Sequence, residues 1–207
     1  MKSRIVFLSI FVAVLVSGCL VKSIHPFYKE KDVVFKKELI GTWSDQDNGK
    51  WIISQVKKNN TPVNYYSVIL DNDGGVSKFA THLFKLNNQW FVDFLPEELS
   101  EPDITAYHLV KTHSLAKIEF SGDQIKIKWF NEMWLADLFK NNKIRISHET
   151  IKGNDQEESY VLTASTEELQ KFIIKYGDDP NAFIDDQDPG SKDRKEVFCY
   201  SLKRIKK

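Results

Sequence analysis

The sequence predicts a mainly β fold, an antiparallel curved sheet or barrel that carries two accessory α-helices. Three observations predict it: short apolar runs separated by turn residues, one hairpin with strict alternation, and two segments of helical apolar spacing bounded by caps. The chain has 207 residues. Beyond its leader and a short connecting segment, residues 37–207 suit one domain, with no internal repeat and no low-complexity stretch.

The elements follow in order. Residues 39–43 begin a strand and residues 51–56 make the next. Residues 65–70 end at Asp71-Asn72-Asp73-Gly74-Gly75, residue types that accept positive φ. Residues 79–86 and 90–95 flank Asn87-Asn88-Gln89, a tight hairpin connection. In the strictest hairpin Ala116, Ile118, Phe120, Ile125, Ile127 and Trp129 face one way, and Lys117, Glu119, Lys126 and Lys128 the other. A half-exposed antiparallel sheet requires that division. Residues 145–150, 160–163 and 197–204 complete about ten strands. Asn131 can cap a first helix in which Trp134 and Leu138, like Leu135 and Phe139, lie one turn apart. Ser165 and Glu168 form a capping-box pattern ahead of Leu169, Phe172, Ile173 and Tyr176, and Gly177 supplies the stop. Residues 178–195, with two prolines and six aspartates, read as a solvated loop.

The first 18 residues read as a removable targeting segment. Lys2 and Arg4 make the positive start, and residues 5–16 form an apolar run. At about twelve residues it suits a signal-peptide core and falls short of the ~20 that span a bilayer as a helix. Val16-Ser17-Gly18-Cys19 follows and resembles the lipobox of bacterial lipoproteins: a branched residue, two small residues, then the cysteine that is acylated and becomes the new N-terminus. The resemblance implies a lipid on Cys19, and two or more acyl chains hold a protein stably on a membrane. Leu20, where an aspartate would signal retention at the inner membrane, implies the periplasmic face of the outer membrane. Residues 19–36, with His25-Pro26 and mixed charges, read as a tether. At ~3.3 Å per extended residue it would let the domain work within ~50 Å of the bilayer.

Removing Lys2 and Arg4 with the leader leaves 27 basic against 29 acidic residues. A slightly negative chain is a poor partner for nucleic acid, which needs a basic surface. With Cys19 acylated, Cys199 has no disulfide partner, and its place in an apolar strand makes it an inert thiol.

Gly41-Thr42-Trp43 opens the first strand of an antiparallel domain and resembles the G-x-W signature of lipocalins. In that family the tryptophan plugs the closed barrel end, and an arginine from the last strand lies over the indole. The resemblance assigns these structural roles to Gly41, Trp43 and Arg204. The helix after Asn131 departs from the lipocalin plan. A second resemblance rests on His25-Pro26-Phe27-Tyr28, Glu30-Lys31-Asp32, Phe35, Gly41-Thr42-Trp43 and Thr81-His82-Leu83-Phe84. These look like a family of uncharacterised bacterial lipoproteins with a short tether, and carry over no catalytic residue.

No nucleophile elbow, H-E-x-x-H, paired C-x-x-C or phosphate-cradling glycine loop occurs. No metal or cofactor is implied. His82, His108, His113 and His148 lie on separate segments, and only convergence would make them a site. Asp71-Asn72-Asp73-Gly74 and Asp185-Asp186-Gln187-Asp188 lack the EF-hand spacing and read as polar loops. The aromatic content is 13%, more than one sheet face needs. Either both faces are covered, or one lines a cavity for an apolar ligand. Tyr66, His82, Phe84, Trp90 and Trp129 are the candidate lining. The functional expectation is non-enzymatic binding of a small apolar or amphipathic molecule at a membrane. The alternatives are a docking module for another envelope protein and, last, a hydrolase.

Overall fold

A computed structural model of the chain describes residues 20–72, 75–97, 108–152, 158–185 and 199–205. Its strands are β1 (Lys22–Ser23), β2 (Gly41–Ser44), β3 (Lys50–Lys58), β4 (Thr61–Asn72), β5 (Gly75–Leu86), β6 (Gln89–Pro96), β7 (His113–Ser121), β8 (Gln124–Trp129), β9 (His148–Lys152), β10 (Glu158–Leu162) and β11 (Cys199–Arg204). The helices are α1 (Glu132–Lys140) and α2 (Thr166–Tyr176).

The fold is mainly β, and eight strands close into an antiparallel barrel. β2 to β8 are successive neighbours, and β11 pairs with both β8 and β2 to complete the circuit. This is the lipocalin-like up-and-down architecture with two helices, the expected fold class. The departure from a plain meander is an insertion between β8 and β11: α1, β9, β10 and α2. β10 pairs with β1, which runs beside β7 where β8 has left the wall.

Local chemistry explains the tight turns. Asn59-Asn60 and Asn87-Asn88 all take positive φ, as two-residue primed hairpin turns require. The first pair lengthens β3 and β4 well beyond the strands expected from their apolar cores. Asn131 caps α1 by accepting from the backbone N–H groups of Met133 and Trp134, and the Ser165–Glu168 capping box is formed on α2. The expected strand at 145–150 is displaced to His148–Lys152. Ile144 and Ile146 ahead of it are buried in the core beneath the helices.

Alternation along the wall sorts the core into two clusters. Trp43, Trp51, Tyr66, Val68, Leu83, Val92, Phe94, Ile118, Ile127, Trp129 and Leu202 fill the lumen. Phe84, Leu86, Phe91 and Leu115 point outward and are covered by Leu135, Leu169, Phe172 and Ile173 of the helices, with Phe130 and Phe183. The aromatic excess is therefore spent on both faces of one stretch of wall.

Two segments depart from expectation. The 19–36 tether reading is corrected over residues 20–36, which are woven into the wall. Val21 and Phe27 are buried, β1 pairs with β7 and β10, Val33 bridges Phe84, and the Val34 N–H donates to the Leu83 carbonyl at 2.8 Å. Apolar residues at 20, 21, 27, 33 and 35 are too many for a solvated spacer, and here they have sheet edges to cover. The loop after α2 is likewise not wholly solvated. Ala182 and Phe183 are buried, and Asp185 pairs with Lys126 at 2.7 Å and Lys128 at 2.6 Å. Residues 186–195 of that loop, with Cys19 and Phe198, lie outside the described residues.

Phe27 separates a strap from a tether. Phe27→Ala is expected to lower the free energy of urea unfolding by about 3–5 kcal/mol, as for a fully buried aromatic. A residue on a solvated spacer would move it by less than about 0.5 kcal/mol.

Candidate functional site

Three groups of side chains bear on function: the Trp43 end of the barrel, the lumen, and a cleft on the outer wall.

At the Trp43 end the G-x-W residues come together. The Arg204 guanidinium carbon lies 4.1 Å from the Trp43 ring centre, and the Trp43 indole N–H donates to the Leu39 carbonyl at 3.0 Å. Arg204 also donates to the backbone carbonyls of Ile40 and Glu38. Gly41 has φ +146, and a Cβ there would stand 2.5 Å from the Arg204 Nη1. The glycine thus lets the guanidinium reach both the ring and the carbonyls. Gly41→Ala is expected to displace Arg204 and cost about 1–3 kcal/mol in urea unfolding, from lost charged hydrogen bonds and cation–π contact. In the Arg204→Ala background the same change should cost distinctly less, which a double-mutant cycle reads.

The lumen is filled. A void of about 30 Å³ within it is lined by Trp51, Tyr66, Val68, Leu83, Phe94 and their neighbours. That is room on the order of one or two waters. Trp129 packs on Phe94 with ring centres 4.6 Å apart, and Phe94 stands edge-on to Phe79. Tyr66 turns its hydroxyl to the strap, accepting from the Lys36 N–H at 2.6 Å and donating to the Lys36 carbonyl at 3.1 Å. Of the candidate lining residues, Tyr66, Trp90 and Trp129 belong to this interior cluster, while Phe84 belongs to the cluster beneath the helices. His82 shares the outward face of β5 with Phe84. The five therefore do not line one cavity, because adjacent residues of a strand point to opposite faces.

The outer cleft lies where β4 parts from β5. Their pairing stops at Tyr66–Thr81, and β4 continues alone with β3 to the Asn59-Asn60 turn. The resulting cleft is about 630 Å³ and open to solvent. Lys58 and residues 62–65 line one side, Ala80, His82 and Leu95 the floor, and Tyr28, Glu30 and Val33 of the strap the other side. His82 is sandwiched between Tyr28, at 4.1 Å, and Tyr65, at 4.9 Å, with the rings nearly parallel. Lys58 lies over the Tyr65 ring at 5.6 Å, and the Tyr28 hydroxyl meets His82 Nε2 at 3.2 Å.

Beneath this stack is a buried carboxylate. Asp93 is opposite His82 in the β5–β6 register and is fully enclosed. It accepts from the Phe27 N–H at 2.9 Å and from His113 Nδ1 at 2.7 Å. A carboxylate accepts and does not donate, so Nδ1 of His113 carries the proton there. Of the four candidate histidines, His113 thus bonds this carboxylate, and His82 is its cross-strand neighbour. His108 sits exposed on the loop before β7, and His148 stacks on Phe139 at 3.7 Å elsewhere.

Burial governs the protonation of the stack. It lowers the His82 pKa, more than the nearby Asp93 and Glu30 carboxylates raise it. It pushes Tyr28 up to about 12, with Asp93, Glu30 and Tyr65 adding to the rise. Near neutrality burial therefore favours neutral His82, and Tyr28 keeps its proton. His82 Nδ1 and Thr81 Oγ1 are buried without a hydrogen-bond partner among the described residues. Also among them, no three His, Cys, Asp or Glu side chains gather as a metal site. The arrangement can bind by stacking and by the charges of Lys58 and Glu30.

Nothing in the sequence marks Tyr65, Lys58 or Asp93 as site residues, and Tyr28 and Glu30 stand out only as part of the lipoprotein-like pattern. Asp93 has a signal of another kind: a lone charge inside Trp90-Phe91-Val92-Asp93-Phe94, a run that otherwise reads as fully buried. No family model, curated protein or solved structure matches the chain.

The stack should set an acid limit on stability. An unfolded His82 takes a proton near 6.5, while the folded one resists it. Stability is thus level above that value and declines as pH falls from it through the lower folded pKa. Urea midpoints measured across pH should give His82→Gln a shallower acid decline than the parent, and equal slopes would refute the assignment. Tyr28 and Tyr66, both pushed up to about 12, act in the opposite sense, and stability is lost as pH rises above 10.0.

Proposed function

We propose that the chain is a bacterial envelope lipoprotein, acylated at Cys19 and held at the periplasmic face of the outer membrane. In this reading it binds a small amphipathic molecule without transforming it. The leader, Lys2 and Arg4 followed by an apolar run and Val16-Ser17-Gly18-Cys19, supports the anchor. One observation carries the binding site: the outer cleft offers about 630 Å³, while the void lined by the lumen's Trp51, Tyr66 and Phe94 offers about 30 Å³. Ligand sites combine apolar and aromatic walls with a few convergent polar groups. The cleft offers Tyr65, Tyr28, Val33 and Leu95 for the apolar part, and Lys58 and Glu30 for a charged head. The seat is then the outside of the wall, and the barrel is the rigid frame that holds it.

A second reading, docking of another envelope protein, draws on β9. Among the described residues the sheet order ends at this strand, and Glu149, Thr150, Ile151 and Lys152 are exposed along it. An uncovered edge is a template for an incoming strand.

Native mass spectrometry after mild detergent extraction tests the proposal. The parent is expected to retain a small-molecule adduct, and Tyr65→Ala combined with Lys58→Ala to lose it. A clean apo mass for the parent counts against carriage, and a captured protein partner favours the β9 reading. Cys19→Ser should abolish acylation and release the protein from membranes; a variant that still labels and sediments with them removes the anchor.

A further inference from the structure

Resting on the reading that Cys19 is acylated, we infer that the barrel lies on the phospholipid bilayer through one defined end. This is the mouth opposite Trp43. The chain arrives there without slack. Leu20, one residue after the lipobox cysteine, bridges Asn131 just past the end of β8, and packs against the lumen cluster. Consecutive Cα atoms are 3.8 Å apart, so acyl chains on Cys19 enter the membrane beside this mouth.

The same end exposes large apolar side chains among its polar ones. Among the described residues the three most exposed large apolar side chains are Val110 at 74%, Leu109 at 67% and Val76 at 66%. Val76 opens β5 beside the β4–β5 turn, and Leu109 and Val110 lie in the segment that leads into β7. Both places belong to the far mouth. There Asp71 pairs with Lys50 at the start of β3, and β7 begins beside the end of β6. Ile24, 45% exposed, follows β1 at the start of β7 on the same side. Scattered exposed apolar residues need no explanation by themselves, but the most exposed of them share the end where the lipid is attached. Side chains of this kind enter the boundary between headgroups and acyl chains by ~5–10 Å. A bilayer is thus the occupant that both the exit point and the exposed rim select. With β1 pinned to β7 and β10, the barrel cannot swing away as a tethered domain would.

The full-length protein, expressed with its leader and purified from membranes, provides the test. A bimane probe is placed on Val110→Cys or on Lys57→Cys, the latter near the Trp43 end; Cys199 is buried and does not compete. The protein is reconstituted in phosphatidylethanolamine–phosphatidylglycerol vesicles that contain nitroxide-labelled lipid. Quenching at position 110 is expected to exceed that at position 57 by at least about twofold, given the shallow depth of interfacial insertion. Intact mass in the same sample reports acylation. An acylated protein with equal quenching at both positions overturns the orientation and leaves the anchor standing. A product without acyl mass removes the anchor and this inference with it. An acylated dimer whose position 110 is shielded from the lipid quencher assigns the rim to a second copy and also overturns it.

Discussion

The architecture depends on a gap in the barrel wall and the strap that fills it. β4 and β5 cease to pair at Tyr66–Thr81, which would leave the Leu83 carbonyl on that edge without a partner. Buried backbone groups left unpaired cost on the order of 1–3 kcal/mol each, so the gap must be closed. Residues 33–36 close it with the Val34 N–H on Leu83, the Val33–Phe84 bridge, and the Lys36 backbone on the Tyr66 hydroxyl. Phe35 then stacks on Tyr66, and Leu39 turns inward to plug the lumen at the Trp43 end. The outer cleft is the remainder of the same gap, its far side being the β3–β4 tip that the strap does not reach.

A filled barrel and a covered wall share one cause. Where helices and strap lie on β5 to β7, successive residues are buried on opposite faces, as in Leu83-Phe84 and Phe91-Val92. Apolar burial contributes roughly 25 cal/mol per Å² on either face. The lumen, crossed by Trp51, Trp129, Tyr66 and Phe94, keeps little space, and the larger open space lies on the outside. There Asp93 links the layers. It is opposite His82, bonded to His113, and bonded through the Phe27 N–H to the strap. A carboxylate so enclosed needs every acceptor position used, which makes the strap part of the site rather than a bystander.

Much of the frame was legible along the chain. The 116–129 hairpin, the two capped helices, Asn87-Asn88 and the Gly41–Trp43–Arg204 set all declare themselves through nearest-neighbour patterns or short motifs. Asn59-Asn60 carries the same turn chemistry, but the polar residues around it hide the strands that it joins. The candidate site was legible only in fragments. His82 and His113 stand out as residue types, but Tyr28 and Tyr65 resemble ordinary aromatics, and Asp93 is unusual only once its strand is known to be buried. The 20–36 segment reads as a spacer because its apolar residues follow neither a period of two nor one of 3.6.

By itself the sequence determined the elements: strands from alternation, helices from spacing and caps, and turns from asparagine and glycine. Each depends on residues a few positions apart, where local sterics and hydrogen bonds act. Tertiary structure alone decided that the barrel closes with its lumen full, that β1 replaces β8 beside β7, and that residues 28, 65, 82, 93 and 113 meet. Those outcomes turn on which face of a strand is covered and where two strands part. Both are set by packing between segments as far apart as Phe27 and Gln170, whose side-chain amide reaches the Phe27 carbonyl at 3.2 Å.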